Sequence, residues 1–216
     1  MKRVVVLDYG SGNIRSVVRM LERVGADVEL TADQHAVARA DALYVPGVGN
    51  FHACVAGLRA VGGPALIRER LALSAPVFGV CVGFQILFAG STEHSTGTSL
   101  PGLGLLPGTV TRLHAPVVPH MGWSQVEAAR SSLLLKGVEA EHFYFVHSYA
   151  AEYDEGQFQL ATSDTSAGPG VRISTARHGG TFIAAAEDGP LTGTQFHPEK
   201  SGDAGAALIE NWLASW

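Results

Sequence analysis

The chain has 216 residues, a formal net charge of −5 at pH 7, 46% hydrophobic residues and 16% charged residues. This composition is too apolar for a disordered chain, and the length suffices for one domain with a full core, which we expect to span residues 1–216. Because 15 Lys and Arg stand against 20 Asp and Glu without any basic run, we expect no binding to nucleic acid or to an anionic membrane.

Apolar runs in the sequence are too short for membrane insertion or export. The longest, Ala75–Gly90, is broken by glycine, proline and glutamine and is shorter than the roughly 20 residues of a spanning helix. The N-terminal run Val4–Leu7 ends at Asp8, well before a signal-peptide core of about 7 to 15 residues is complete. We therefore expect a cytoplasmic protein, in which Cys54 and Cys81 are free thiols.

The first half of the sequence alternates strand and helix patterns. Continuous apolar runs predict four strands, at Arg3–Asp8, Val28–Leu30, Ala42–Val45 and Val77–Val80. Helical spacing of apolar residues predicts helices beginning near Ile14, at Gln34–Arg39, over Phe51–Leu73 with an interruption at Gly62-Gly63-Pro64, and over Gly83–Ala89. Fully apolar strands that alternate with helices are typical of a parallel sheet covered on both faces.

The second half of the sequence contains mainly short strand-like segments. They are separated by Gly, Pro and Asp and lie at Leu103–Leu113, Val117–Val126, Phe143–Ala150, Phe158–Ser163, Arg172–Arg177, Thr181–Ala186 and Leu191–Phe196. We expect them to form hairpins added to the sheet, followed by a last helix at Ala204–Ala214. The polar stretch Thr162–Gly170 is predicted to be an exposed loop, and no role is assigned to Asp164–Gly170.

A cysteine lies where the fourth predicted strand turns into a helix. In Gly79-Val80-Cys81-Val82-Gly83, small residues flank the turn, as in a nucleophile elbow. Such a turn presents the side chain at the end of the sheet, and the N-terminus of the following helix favours a thiolate. The same pattern also fits a buried structural cysteine in a glycine-punctuated strand.

A second motif follows the last predicted strand. In Gln195-Phe196-His197-Pro198-Glu199-Lys200, residues two apart point to the same side of an extended segment, so Glu199 is placed to receive a ring N–H from His197. Taken alone, His197 also fits a surface or capped histidine. Together with Cys81, the motif indicates a cysteine, histidine and carboxylate set for nucleophilic catalysis.

Backbone N–H groups near Cys81 would have to stabilise a tetrahedral oxyanion. The elbow positions the amide of Val82 as one donor, and the loop Pro46-Gly47-Val48-Gly49 can supply the amide of Val48 as the other. An ordinary glycine-rich turn is the alternative interpretation of this loop. Its glycines allow two peptide orientations, one with the Val48 N–H toward the oxyanion and one with it turned away.

These motifs resemble a known enzyme family. Gly79–Gln85 together with His197-Pro198-Glu199 resembles the class I, triad-type glutamine amidotransferases. Further segments are similar to the glutaminase subunits of imidazole glycerol phosphate synthase, namely Asp8–Asn13, Pro46–Gly49, Pro119–Trp123, Tyr144–Tyr149 and Gln195–Gly202. The resemblance implies an α/β fold, the three-layer α/β/α flavodoxin-like amidotransferase domain with antiparallel strands added in its second half.

The resemblance also implies roles for individual residues. Cys81 is the nucleophile, His197 the base and acid, and Glu199 the residue that orients His197. Glutamine is held by Gly49, Gln85, Ser148 and Tyr149. The implied partner surface comprises Asn13, His120, Met121, Trp123, Tyr144 and Lys200.

The implied partner is a (β/α)8-barrel cyclase subunit that forms a heterodimer with this chain. We expect the chain to hydrolyse glutamine and channel ammonia to the cyclase, which makes imidazole glycerol phosphate and an aminoimidazole carboxamide ribonucleotide in histidine biosynthesis. We expect the isolated chain to be nearly inactive until the partner, with its nucleotide bound, selects the active orientation of the Pro46–Gly49 loop.

Two other functions stay open, a glutaminase subunit of a pyridoxal phosphate or anthranilate synthase and a catalytically silent regulatory subunit. No cofactor is implied, because Gly10-Ser11-Gly12 lacks the third glycine of a dinucleotide fingerprint, whose place is taken by Arg15. The remaining histidines match no metal-ligand spacing, so no metal is expected.

Overall fold

The computed structural model describes residues 1–11, 14–93, 100–153 and 170–216. The strands in these ranges are Arg3–Leu7 (β1), Asp27–Thr31 (β2), Ala42–Val45 (β3), Val77–Val80 (β4), Phe88–Ser91 (β5), Leu100–Pro101 (β6), Leu106–Arg112 (β7), His120–Gln125 (β8), His142–His147 (β9), Tyr149–Ala151 (β10), Arg172–His178 (β11), Gly180–Asp188 (β12) and Leu191–Thr194 (β13). The α-helices are Ile14–Arg23 (α1), Gln34–Arg39 (α2), Phe51–Ala60 (α3), Gly63–Ala72 (α4), Val82–Gln85 (α5) and Gly202–Ala214 (α6), and a 3₁₀ turn spans Pro198–Lys200. None of the helices described is long and apolar enough to cross a membrane.

A seven-stranded sheet forms the centre of the fold, in the order β11-β12-β13-β4-β3-β1-β2. The five strands from β13 to β2 are parallel, whereas β12 and β11 are added antiparallel at one end. Every residue of β3, β4 and β13 is buried, as expected for strands covered on both faces. The predicted α/β fold is confirmed.

Helices cover both faces of this sheet because the chain reverses direction across it. From β1 the chain moves outward to β2 and then returns past β1 to β3. Right-handed crossovers therefore place α1 on one face and α2, α3 and α4 on the other. The contacts between helices agree with this placement, since α1 packs on α6, whereas α2 and α3 pack on α4.

Several strands of the second half lie outside the central sheet. β10, β7, β5 and β6 form a separate four-stranded sheet, and β8 pairs with β9 alone. The prediction that these segments extend the main sheet is therefore correct for β11, β12 and β13 and wrong for β7, β8, β9 and β10. The predicted strand Phe158–Ser163 lies outside the described residues, as do Asn13 and residues 164–169 of the predicted loop.

The predicted helix at Gly83–Ala89 is also shorter than expected. It ends at Gln85, and the chain enters β5 at Phe88. A run of buried apolar residues fits either element. Here pairing with β7 favours the strand, since Gly90 lies opposite Thr109 and Ser91 lies opposite Val110.

Glycines at the carboxyl edge of the sheet allow the backbone segments there to touch. A Cβ on Gly83 would lie 2.1 Å from the Val45 carbonyl oxygen, and one on Gly47 would lie 2.1 Å from the Gly83 nitrogen. The loop that follows β3 thus packs directly on the first turn of α5. This contact sets the distance between the Pro46–Gly49 loop and Cys81.

Replacement of Gly83 by alanine tests this close approach. We expect Gly83→Ala to lower the free energy of unfolding by about 3 kcal/mol, because the added methyl group must displace backbone rather than a mobile side chain. Gly180→Ala is the control, since a Cβ there meets nothing within 4 Å, and its effect should stay within about 0.5 kcal/mol. Guanidinium unfolding followed by tryptophan fluorescence measures both, and equal stability of the two variants would contradict the packing argument.

Candidate active site

Cys81 occupies a strained turn directly after β4. Its backbone has φ +54° and ψ −114°, and among the described non-glycine residues only Ser74 shares a positive φ. Such strain is a feature of nucleophile elbows, which project a side chain from the end of a sheet. The Cys81 N–H donates to the Thr194 carbonyl at 2.8 Å, and its side chain lines a cavity of about 370 Å³.

His197 and Glu199 form a buried pair beside this cysteine. The imidazole Nδ1 lies 2.7 Å from Glu199 Oε1, and both side chains are almost fully buried. Because Nδ1 is engaged by Glu199, Nε2 is the ring nitrogen left for the hydrogen bond to Cys81. The backbone of His197 is fixed as well, since its N–H donates to the Tyr144 carbonyl at 3.0 Å. The three residues of the predicted triad are therefore together.

The charge state of His197 follows from its surroundings. Burial lowers the pKa of its imidazole, but the hydrogen bonds to Cys81 and Glu199 outweigh burial and raise that pKa to about 9. His197 is therefore protonated at neutral pH. A protonated imidazole beside a thiol is the arrangement that activates a cysteine nucleophile.

Both predicted oxyanion donors are bonded within the protein. The Val48 N–H donates to Ser11 Oγ at 3.0 Å, and the Val82 N–H donates to the Gly47 carbonyl at 3.4 Å. The Gly47 carbonyl and the Val48 N–H belong to one peptide group, so a single rotation of that group would release both donors. The buried Cys54 thiol also contacts this loop, at 3.3 Å from the Val48 carbonyl.

The cavity brings together most of the predicted site residues. Its described lining is Val48, Gly49, Cys81, Val82, Gln85, Glu93, Pro119, Val146, His147, Ser148, Tyr149, His197 and Lys200. Sequence reasoning missed Glu93, whose Oε2 accepts the Phe51 N–H at 2.7 Å, and also His147. Glu93 follows β5, a segment predicted as helix, and so the sequence offered no signal that it shares this edge with Cys81.

Of the predicted partner residues, Lys200 lines the cavity, Met121, Trp123 and Tyr144 belong to the paired strands β8 and β9, and Asn13 lies outside the described residues. Met121 and Trp123 on β8 are 62% and 54% exposed. Trp123 packs edge-to-face on Tyr144 with ring centroids 5.9 Å apart, and the Lys200 Nζ lies 5.9 Å from the centre of the Tyr144 ring. His120 is buried, because alternation along β8 turns its side chain inward, so its side chain is not part of the exposed surface.

No cluster of His, Cys, Asp or Glu in the described parts of the chain is arranged to hold a metal ion. Both cysteines are free and buried. The site itself contains a thiol, an imidazole and carboxylates, with backbone N–H groups close by.

Loss of the Glu199 charge tests the origin of the His197 charge state. We expect Glu199→Gln to lower the His197 pKa from about 9 toward its ordinary value of about 6.5, because the neutral amide no longer favours the imidazolium. An NMR titration of the imidazole protons reports this midpoint directly. Glu93→Gln, which changes a carboxylate of the same cavity, is the control; an equal shift in both variants would contradict a specific role for Glu199.

Comparisons with known proteins agree with this geometry. The family described as Glutamine amidotransferase class-I matches residues 5–216. Imidazole glycerol phosphate synthase subunit HisH of Mycolicibacterium paratuberculosis is 57% identical over 98% of this chain and 97% of its own length, and the HisH subunit of Mycobacterium leprae is 56% identical over the same shares. HisH of Nocardia farcinica is 53% identical over 99% of this chain and 98% of its own length.

Solved structures share the fold at low sequence identity. A glutamine amidotransferase crystal structure aligns with a TM-score of 0.71 at 20% identity, covering 98% of this chain and 99% of that one. The glutaminase domain of Trypanosoma brucei CTPS, solved with bound acivicin, aligns with a TM-score of 0.64 at 16% identity, covering 99% of this chain and 94% of that one. The chain belongs to the class-I glutamine amidotransferases and, within them, to the family of the HisH subunits of imidazole glycerol phosphate synthase.

Proposed function

We propose that this chain is the glutaminase subunit of an imidazole glycerol phosphate synthase in histidine biosynthesis and that it hydrolyses glutamine through a thioester at Cys81. The observation that carries the proposal is that Cys81 and His197 line one cavity and that His197 is hydrogen-bonded both to Cys81 and to Glu199. A complete, buried triad disfavours a catalytically silent regulatory subunit. The names of the relatives favour this synthase over a pyridoxal phosphate or anthranilate system. The family match over residues 5–216 supports a single domain.

The reaction takes place in two halves at the same sulfur. The Cys81 thiolate attacks the side-chain amide carbon of glutamine, the tetrahedral intermediate collapses, and His197 gives its proton to the departing ammonia. The neutral His197 then takes a proton from water, whose oxygen attacks the thioester carbon. Glutamate leaves, and the thiolate and the imidazolium are restored. Glu199 stays ionised throughout and holds the imidazole in one orientation.

Charged groups at the cavity suit an amino-acid substrate. The α-ammonium group of glutamine needs an acceptor, and Glu93 is the acidic residue among the described residues of the lining. Gly49, Gln85, Ser148 and Tyr149 line the cavity beside Cys81. We assign Glu93 to the ammonium group and these four residues to the walls that enclose the glutamine side chain.

We propose that a (β/α)8-barrel cyclase docks on the rim formed by Met121, Trp123, Tyr144 and Lys200. Two of these side chains are large, apolar and more than half exposed, and such patches mark interaction surfaces. Lys200 lines the same cavity as Cys81. Ammonia released at Cys81 would leave beside this rim and enter the partner without crossing bulk solvent.

Replacement of Cys81 by alanine separates ammonia production from ammonia use. We expect Cys81→Ala to abolish glutamine-dependent synthesis in the complex while synthesis with added ammonium salt continues, because only ammonia production uses the thiolate. Cys54→Ala is the control; it should keep glutamine-dependent synthesis and cost about 1 kcal/mol of packing energy. Product formation under both conditions is the measurement, and retained glutamine use by Cys81→Ala would remove Cys81 from the mechanism.

We further propose that the bond from the Val48 N–H to Ser11 Oγ holds the chain in a resting state. In this orientation the peptide between Gly47 and Val48 presents its carbonyl, not its N–H, toward Val82. One missing oxyanion donor typically costs a factor of about 10² to 10³ in rate. A partner that binds the rotated peptide better would shift the population toward the active form.

Removal of the Ser11 hydroxyl tests this resting state. We expect Ser11→Ala to raise the glutaminase rate of the isolated chain about fivefold, since one hydrogen bond of roughly 1 kcal/mol no longer holds the resting peptide. The rate with cyclase and nucleotide bound should stay unchanged. Ser215→Ala, at the end of α6, is the control. An isolated Ser11→Ala chain no faster than the wild type would contradict the proposed role of Ser11.

A further inference from the structure

A chain of polar side chains reaches the Cys81 thiol through Gln195, the first residue of the motif that contains His197. The Gln195 Nε2 lies 3.8 Å from Cys81 Sγ, within hydrogen-bonding distance for sulfur. The Gln195 Oε1 accepts a hydrogen bond from Gln85 Nε2 at 3.0 Å. Gln85 Nε2 also donates to the Tyr149 carbonyl at 2.8 Å. Both glutamine side chains are buried, at 3% exposure or less.

Two buried histidines complete this network on its far side. His147 Nδ1 lies 3.0 Å from the same Tyr149 carbonyl. His147 Nε2 lies 3.1 Å from His120 Nδ1, and His120 Nε2 lies 2.9 Å from Ser124 Oγ on β8. The Tyr149 carbonyl therefore joins the two arms of the network, a glutamine arm of Gln85 and Gln195 and a histidine arm of His147 and His120.

The chemistry of this carbonyl fixes the direction of every bond in the histidine arm. A carbonyl oxygen only accepts, so His147 Nδ1 carries a proton. Burial lowers the pKa of His147 to about 3 and that of His120 to about 4, so both rings are neutral and each has one accepting nitrogen. His120 Nδ1 thus donates to His147 Nε2, and the Ser124 hydroxyl donates to His120 Nε2.

The same carbonyl fixes the orientation of both glutamine amides. Only the amino end of the Gln85 side chain can face the Tyr149 carbonyl, and that amino group then also faces Gln195. Gln195 must therefore accept this hydrogen bond through its Oε1, and its own amino group then faces the Cys81 sulfur. A reversed Gln195 would present one amino group to another and an oxygen lone pair to the thiolate.

We infer that Gln195 is a further catalytic residue, whose amide N–H stabilises the Cys81 thiolate, and that Gln85 and the Tyr149 carbonyl hold that amide in its donating orientation. The inference rests on the proposed function, in which Cys81 is the nucleophile. A donor to sulfur increases the thiolate fraction before attack and stabilises the thiolate again when the thioester is cleaved. His197 faces the same sulfur, so the thiolate has two donors.

The pH dependence of Cys81 alkylation tests this role. Iodoacetamide labelling of the full chain, followed peptide by peptide with mass spectrometry, separates Cys81 from Cys54 and gives the midpoint of thiolate formation. We expect Gln195→Met, which keeps the length and removes the donor, to raise the midpoint by about one pH unit. Gln195→Glu keeps the shape but presents acceptors, and it should raise the midpoint at least as far.

A matched control lies on β13, the strand that ends directly before Gln195. Thr192→Val changes a buried polar residue of β13 near the other end of the sheet and should leave the midpoint unchanged. The described titratable groups that line the cavity with Cys81 are His197, His147, Glu93, Tyr149 and Lys200. Gln195→Met alters none of them and adds no charge, so a shift in that variant is attributable to the lost amide donor.

An unshifted midpoint in a folded Gln195→Met or Gln195→Glu chain overturns the inference. Circular dichroism identifies a variant that fails to fold, and Gln195→Leu, which removes the donor without adding a charge, then decides the question. Alkylation reports on the thiol itself and not on glutamine turnover. Failure of the proposed function would appear separately, as a wild-type complex that forms no ammonia from glutamine.

Discussion

The parallel pairing of β4 with β3 on one side and β13 on the other is the constraint on which the site depends. Val45 lies opposite Gly79, and Thr194 lies opposite Val80. Three chain segments therefore leave the sheet side by side at one edge and carry a glycine loop, a thiol and an imidazole. Each of these residues lies within a few positions of a strand end, so the register of the sheet determines how far apart they are. This is the general location of ligand sites in open α/β sheets.

The same edge is consistent with the resting state that we propose, in which the triad is assembled and the oxyanion donors are turned away. The triad is fixed by buried side chains, whereas the oxyanion donors belong to a peptide that can rotate. In the described arrangement the N–H of Val48 is satisfied by Ser11, and the carbonyl of Gly47 satisfies Val82. In the proposed rotation these bonds would be exchanged for bonds to a substrate oxyanion, so the energy cost of rotation would depend on whether substrate and partner are bound. Gly47 itself is required by its contact with Gly83, whereas Gly49 has the positive φ of +93°.

The sequence predicted the parts of this molecule that depend on local pattern. The strands before Pro46 and Cys81 are short apolar runs that are followed by a turn residue or a small residue, and they were found with the expected bounds. The resemblance to a known family supplied the roles of His197 and Glu199. The strand that begins at Phe88, within the segment predicted as helix, was not predictable. A buried apolar run fits either element, and pairing with a strand further along the chain determines which one forms. The burial of His120 and the orientation of Gln195 depend in the same way on contacts with distant residues, so a motif alone does not reveal them.

One edge of the sheet holds both Cys81, the proposed nucleophile, and the cavity in which we expect glutamine to bind. The most direct measurement is covalent labelling of the chain with a diazoketone analogue of glutamine, followed by peptide mass spectrometry. The account expects modification at Cys81 alone, with protection by excess glutamine, because Cys81 lines the cavity and Cys54 does not. Modification at Cys54, or labelling that glutamine does not prevent, would contradict the account.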